Sequence, residues 1–225
     1  MPIDPNAKLE ITGFAWVPPF AQGHVRDLRP RWACEEMGLA YRERLISALE
    51  RPEWYFDEQP WGQVPYLRDD GIAMFESGAM LIHLGEKGGL LPMSGQERGT
   101  VLSWTLAAFN SIEPYIFEYV NVTVFARKSD WAPLREPSLA KDLGKRLDGI
   151  ARALGHGDWL AGSFSIADIA MATVLRNLEQ TELLATRPIL SAYLERATAR
   201  PAFARALADQ LASFATHAPT AGQEA

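Results

Sequence analysis

The 225-residue chain contains one cysteine, Cys34, so it can build neither an internal disulfide nor a cysteine metal site, and it reads as a protein of a reducing compartment. Its four histidines, His24, His83, His156 and His217, lie far apart without metal-ligand spacing, and no metal is expected. No apolar run approaches the roughly 18 residues that a membrane helix needs. The first ten residues, MPIDPNAKLE, lack the basic start and apolar stretch of a secretory signal, so the expected location is cytoplasmic. Basic residues are too few and too scattered for a nucleic-acid surface: 22 Lys and Arg stand against 28 Asp and Glu, a net charge of -6. Neither membrane nor nucleic acid is an expected partner. What is present is ordinary globular usage, 48% hydrophobic and 22% charged, with length enough for one large domain or two small ones.

Strand signals are confined to the first third of the chain. Residues 9–15 read as a strand, 16–23 (WVPPFAQG) as a loop, and 24–37 as a helix on the spacing of Val25, Leu28 and Trp32, ended by Gly38. Pro30 interrupts that helix or sits in its first turns. A second strand over 41–46, a short helix over 52–59, and strands over 64–67 and 72–75 follow, the last two joined through Asp69-Asp70-Gly71. A helix over 77–86 ends at Gly88-Gly89. Beyond it the strand signals stop, and helices are expected over 97–125, 138–154, 166–178, 189–199 and 202–214. The fold class is therefore α/β over 8–87, a linker over 88–94, an all-α helical part over 95–215, and a frayed tail over 216–225.

One short stretch resists the strand reading. In GQVPYL, residues 62–67, Pro65 cannot donate a ladder hydrogen bond, which points to an edge strand, a bulge or a cis peptide. The hairpin that follows returns Phe75 to the start of the third strand, so Glu76 and Ser77 emerge close to Val64. Ser77 then stands at a helix N-terminus, where a hydroxyl and orphan N–H groups suit a carboxylate. A cis bond at Pro65 would turn the Val64 backbone outward, where a short extended peptide could pair with it.

The run Pro60-Trp61-Gly62-Gln63-Val64-Pro65-Tyr66-Leu67, with Phe75-Glu76-Ser77-Gly78-Ala79 and Phe164-Ser165-Ile166-Ala167-Asp168-Ile169, resembles the glutathione transferase family over nearly the whole chain. The resemblance implies a thioredoxin-like N-terminal domain and an all-α C-terminal domain. It implies that Val64, followed by a cis Pro65, pairs its backbone with the cysteinyl part of glutathione, that Glu76 and Ser77 hold the γ-glutamyl end, and that Gln63 contributes. It also implies a homodimer and a small electrophilic co-substrate. Ser165 and Asp168 form a capping arrangement on the helix that follows, a folding device contributing about 1 kcal/mol.

Family enzymes usually place a Tyr, Ser or Cys in the loop after the first strand to serve the thiolate, and residues 14–31 contain none of these. Lowering a thiol pKa still needs positive charge or hydrogen-bond donors. The candidates are Trp16, Gln22, His24, Arg26 and the backbone opening the first helix; the preferred reading is that helix N-terminus assisted by Arg26 or His24. Each has a plainer role open to it: loop packing for Trp16, a solvated position for His24, an ion pair for Arg26. Cys34, a turn or more inside the helix beside Trp32, reads as a small buried hydrophobe. Among the aromatics of the first C-terminal helix, Asn110 and Tyr115 are the pocket candidates for the electrophile. Two functions stand: a glutathione transferase acting on a small apolar electrophile, and a glutathione-binding or interaction module of the same fold with little activity. A disulfide reductase is disfavoured by the loop without cysteine.

Overall fold

β1 (Glu10–Phe14) is the spine of a four-stranded sheet ordered β2-β1-β3-β4, where β2 is Arg42–Ile46, β3 Tyr66–Asp69 and β4 Ile72–Phe75. β1 runs parallel to β2 and antiparallel to β3, which pairs antiparallel with β4. The computed structural model describes residues 2–219, which divide into two units: residues 2–89 with 200–219, and Leu90–Ala199.

Alternation along the strands sends Ile11 and Leu67 into the core and Glu10 and Thr12 to the other face. On that polar face Glu10 lies in register with Arg42 and Arg68, and Arg42 Nε donates to Glu10 Oε2 at 3.0 Å. Arg44 Nε donates to its neighbour Thr12 Oγ1 at 2.8 Å. Two helices cover the apolar side, α1 (Leu28–Met37) through Leu28, Trp32 and Ala33, and α2 (Ser77–Gly88) through Met80, Leu81 and Leu84. The β3–β4 hairpin turns on Asp70 and Gly71, with φ of 48° and 86°, the paired positive values of the tight turn expected there.

Two elements begin two or more residues later than the sequence suggests. β3 starts at Tyr66 because Pro65 has no N–H for the ladder, so pairing opens with Tyr66 opposite Thr12 and Phe75. α1 starts at Leu28, not at residue 24: residues 22–27 form turns, with His24 N bonded to Ala21 O and Leu28 N to Val25 O. Apolar spacing ran on through a turn, and Pro30 falls in the first helical turn, where its missing N–H costs nothing.

The second unit is helical. α3 (Gly95–Ala107) runs through a π-helical segment (Ala108–Ile112) into α4 (Glu113–Val120) and a second π segment (Asn121–Phe125). α5 (Ala132–Leu154) opens six residues before its expected start, with Pro133 in its first turn and Pro137 inside it. α6 (Ile166–Leu175) is buried all round and is the core of this unit. A short α7 (Glu182–Ala185), absent from the sequence reading, precedes α8 (Pro188–Thr198).

The last helix, α9 (Pro201–Thr216), departs from the expected division at residue 95. It belongs with the sheet-bearing unit. Its stripe Phe203, Ala206, Gln210 and Phe214 is buried, Phe203 meets Trp32 edge to face at 4.9 Å, and Arg205 Nε donates to Glu35 Oε2 at 2.5 Å. Of the expected tail, residues 220–225 lie outside the described residues. No described helix is long and apolar enough to cross a membrane.

Candidate functional site

The Val64–Pro65 bond is cis. Val64 is buried in a cluster with Ile46, Tyr55 and Tyr66, against which Phe14 and Val25 pack. Among the described residues its backbone N–H and C=O make no hydrogen bond. The preceding turn is held from beneath. Gln59, 3% exposed, accepts through Oε1 from Trp61 N at 2.7 Å and Gln63 N at 3.2 Å, and Tyr55 OH donates to the Gln63 carbonyl at 2.8 Å. The Gln63 side chain is left exposed.

Tyr66 pairs with Phe75, so Glu76 and Ser77 follow directly beyond the register partner of the residue that leaves this turn. Glu76 precedes α2 with φ 72° and ψ 111°, a conformation that costs a non-glycine residue about 1–3 kcal/mol and that holds its side chain exposed at the helix entrance. Ser77 is the first residue of α2 and is buried. Its Oγ accepts from Arg29 Nη1 at 2.9 Å. Arg29, 3% exposed in the first turn of α1, was not among the expected residues. In sequence it is one arginine among several; only the packing of α1 against α2 aims it.

The candidates for thiol activation do not share one environment. His24 is exposed in the turns before α1, so it does not stand at a helix N-terminus. Arg26 and Trp16 are half-buried, and among the described residues the Trp16 indole N–H makes no hydrogen bond. Gln22 is used locally, donating to Val17 O at 3.1 Å. Behind this segment Arg31, 0% exposed, bonds Asp27 Oδ2 at 2.7 Å and Glu43 Oε1 at 2.5 Å. Burial works against its charge, but those carboxylates outweigh burial and push its pKa up, so it stays a cation. Cys34 is fully buried, and burial raises its thiol far above the range of a reactive cysteine.

In the second unit Asn110 is exposed within the first π segment, a geometry common where helices serve function. Tyr115 is half-buried; its OH accepts from Arg146 Nη2 at 2.6 Å, and its ring packs toward Val122, Ala132 and Leu139. Ser165 and Asp168 form a reciprocal cap on α6, with Ala167 N bonded to Ser165 Oγ at 3.3 Å and Ser165 N to Asp168 Oδ2 at 3.0 Å. Asp168 Oδ1 also accepts from Leu160 N at 3.1 Å and Tyr193 OH at 2.9 Å. Among the described residues no group of three or more His, Cys, Asp or Glu could hold a metal ion.

Comparison with known proteins bears on the family and the fold. The family described as glutathione S-transferase, N-terminal domain, matches residues 28–87. Glutathione S-transferase 4 of Zea mays is 30% identical over 189 residues, 76% of this chain and 82% of that protein. The disulfide-bond oxidoreductase YfcG of Escherichia coli (strain K12) is 29% identical over 172 residues, 70% and 76% of the two chains. A glutathione transferase family member from Pseudomonas fluorescens pf-5, solved with two glutathione bound, superposes with a TM-score of 0.77 at 25% identity, over 88% of this chain and 92% of that one. With 30% identity over 82% of that maize enzyme, the chain belongs to the glutathione S-transferase family.

Proposed function

We propose that the protein is a glutathione transferase that adds the glutathione thiolate to the electrophilic centre of a small apolar compound. The observation that carries the reading is the unpaired Val64 backbone beside the α2 entrance. Val64 N–H and C=O pair with the cysteinyl residue as an added strand. Ser77, the Glu76 carboxylate and the first N–H groups of α2 take the γ-glutamyl end, carboxylate toward the helix and ammonium toward Glu76. Gln63 adds a side-chain contact, and Asn110 and Tyr115 are proposed contacts for the electrophile. The thiolate is stabilised from segment 22–27, by Arg26 or His24, or by the free Trp16 indole N–H. Proximity and a stabilised thiolate are then the main sources of rate.

The experiment is calorimetric binding of glutathione together with turnover of a chloronitrobenzene-type substrate. Binding with turnover supports the transferase; binding without turnover on a broad electrophile panel favours the glutathione-binding module. A cytoplasmic homodimer is proposed from the family resemblance, helped by the exposed Leu49, Trp54, Phe56 and Trp61 on one segment. Sedimentation at the mass of one chain, 25.0 kDa, would contradict it.

A second reading has its own support in the relatives, one a disulfide-bond oxidoreductase and one solved with two glutathione bound. Here the bound glutathione thiolate attacks one sulfur of a disulfide and releases the other as a thiolate. A second glutathione thiolate then attacks the mixed disulfide, giving glutathione disulfide and a second thiolate. No protein cysteine is required, which removes the objection raised by the cysteine-free loop. Glutathione-dependent reduction of 2-hydroxyethyl disulfide, measured beside electrophile turnover, decides between the two.

A further inference from the structure

The last helix of the chain reaches the loop that enters α1. Gln210, 0% exposed on α9, donates from Nε2 to the Val25 carbonyl at 3.2 Å and to Asp27 Oδ1 at 2.6 Å. Asp27 is buried as well, and its other oxygen accepts from Arg31 Nε at 2.7 Å. Gly13 of β1 completes the enclosure, since a Cβ there would stand 2.8 Å from Asp27 Oδ2. The Val25 side chain, in turn, packs on the cluster that contains Val64. One side chain of the C-terminal helix therefore holds the backbone of a residue that abuts the proposed glutathione-pairing position.

We propose that Gln210 is a positioning residue for the thiol end of glutathione: it fixes segment 22–27, which carries His24 and Arg26, beside Val64. This rests on the glutathione reading of the site. Asp27 is the N-cap of α1 yet makes no capping bond, because its carboxylate is taken by Arg31 and Gln210. Segment 22–27 is a run of turns and has no regular ladder to hold it. α9 does not need Gln210 to dock: Phe203 on Trp32, Arg200 on Glu36 at 2.6 and 2.7 Å, Arg205 on Glu35 and Ser213 on Glu43 at 2.9 Å anchor it. Gln210 Oε1 is also buried without a partner, a cost that an apolar residue at this place would avoid. An apolar residue would in turn leave the buried Asp27 Oδ1 and the Val25 carbonyl without their donor, so the amide serves the loop.

The test is Gln210→Met, which keeps length and burial and removes the donor. Amide hydrogen exchange over residues 22–28 is expected to speed by about tenfold, with α6 unchanged, and the Kd for glutathione to rise by about tenfold. Ser213→Ala, on the same helix but bonded to Glu43, should leave both quantities as they are. Exchange that rises evenly across the unit, with an unchanged Kd, overturns the proposal and makes Gln210 a plain packing residue. Gln210→Asn, with a shorter reach, repeats the measurement should the methionine variant not fold. Exchange is read without ligand: unaltered protection over 22–28 overturns the role of Gln210 at any affinity, whereas a wild-type chain that does not bind glutathione overturns the reading of the site.

Discussion

Arg29 Nη1 donates to Ser77 Oγ across 2.9 Å, joining the first turn of α1 to the first residue of α2. A hydroxyl that accepts from a guanidinium keeps its own O–H to give, and a cation stands behind it. That suits an incoming carboxylate better than a lone serine would. Arg29→Met should weaken glutathione binding by about tenfold or more, the loss of one hydrogen bond to a charged group, and should lower the melting temperature as well. Arg29→Lys should recover part of the affinity, because it returns the charge without the planar fork. Calorimetry on the three proteins checks this; affinities within twofold of each other would remove Arg29 from the site.

Glu76 separates binding from stability. Its φ of 72° is a position that glycine takes freely, so Glu76→Gly relieves strain of about 1–3 kcal/mol while losing up to about 1 kcal/mol to the flexibility of the unfolded chain. The variant is expected to melt no lower than wild type and yet to bind glutathione about tenfold more weakly, having lost the carboxylate proposed to face the ammonium. Thermal melts and calorimetry on the same preparation read both. A variant that loses stability and keeps affinity would mean that Glu76 serves the fold alone.

The parts that could be read from sequence are those whose physics is local. A proline in a strand pattern, a two-residue turn and a Glu-Ser pair at a helix entrance lie within sixteen residues, and the hairpin between them fixes their proximity. Arg29, Asp27 and Gln210 could not be found that way, because they act across elements up to 185 residues apart. One signal was present: Gln210 lies on the same stripe as Phe203, Ala206 and Phe214, a polar residue on an otherwise apolar face. The start of α1 was misplaced because Val25, Leu28 and Trp32 keep helical spacing while the chain is still turning. α9 joined the wrong half on paper because alanine-rich helices look alike until their partner is known.

Cys34 decides how the second reading could work. Burial holds its thiol protonated, so native protein should not react with a thiol-specific reagent such as dithiobis-nitrobenzoate, and unfolded protein should release one equivalent per chain. Cys34→Ala should then retain any glutathione-dependent disulfide reduction. If that variant loses reduction while it still binds glutathione, the cysteine itself forms the mixed disulfide, and the segment around α1 must open to expose it.

The turn that presents Gln63 and Val64 should loosen in acid, and Glu58 gives the reason. Its carboxylate accepts from Arg44 of β2 and from Arg68 Nη2 of β3 at 2.6 Å, just before the Gln59 bracket beneath Gln63. Hydrogen bonds from Arg44, joined by those from Arg68, hold its pKa below the ordinary glutamate value of about 4.3. A carboxylate lowered on folding stabilises the protein fully above its unfolded pKa, and that contribution is lost as pH falls through the folded value. Wild type should therefore lose stability below about pH 4. Glu58→Gln should be less stable than wild type at pH 7, and the gap should narrow as pH falls below about 4.3, because the variant has no proton to take up there. Urea unfolding across that range measures the gap. A gap that stays constant to pH 3 would show that Glu58 titrates alike in the folded and unfolded chains, and that the two arginines do not hold the turn by charge.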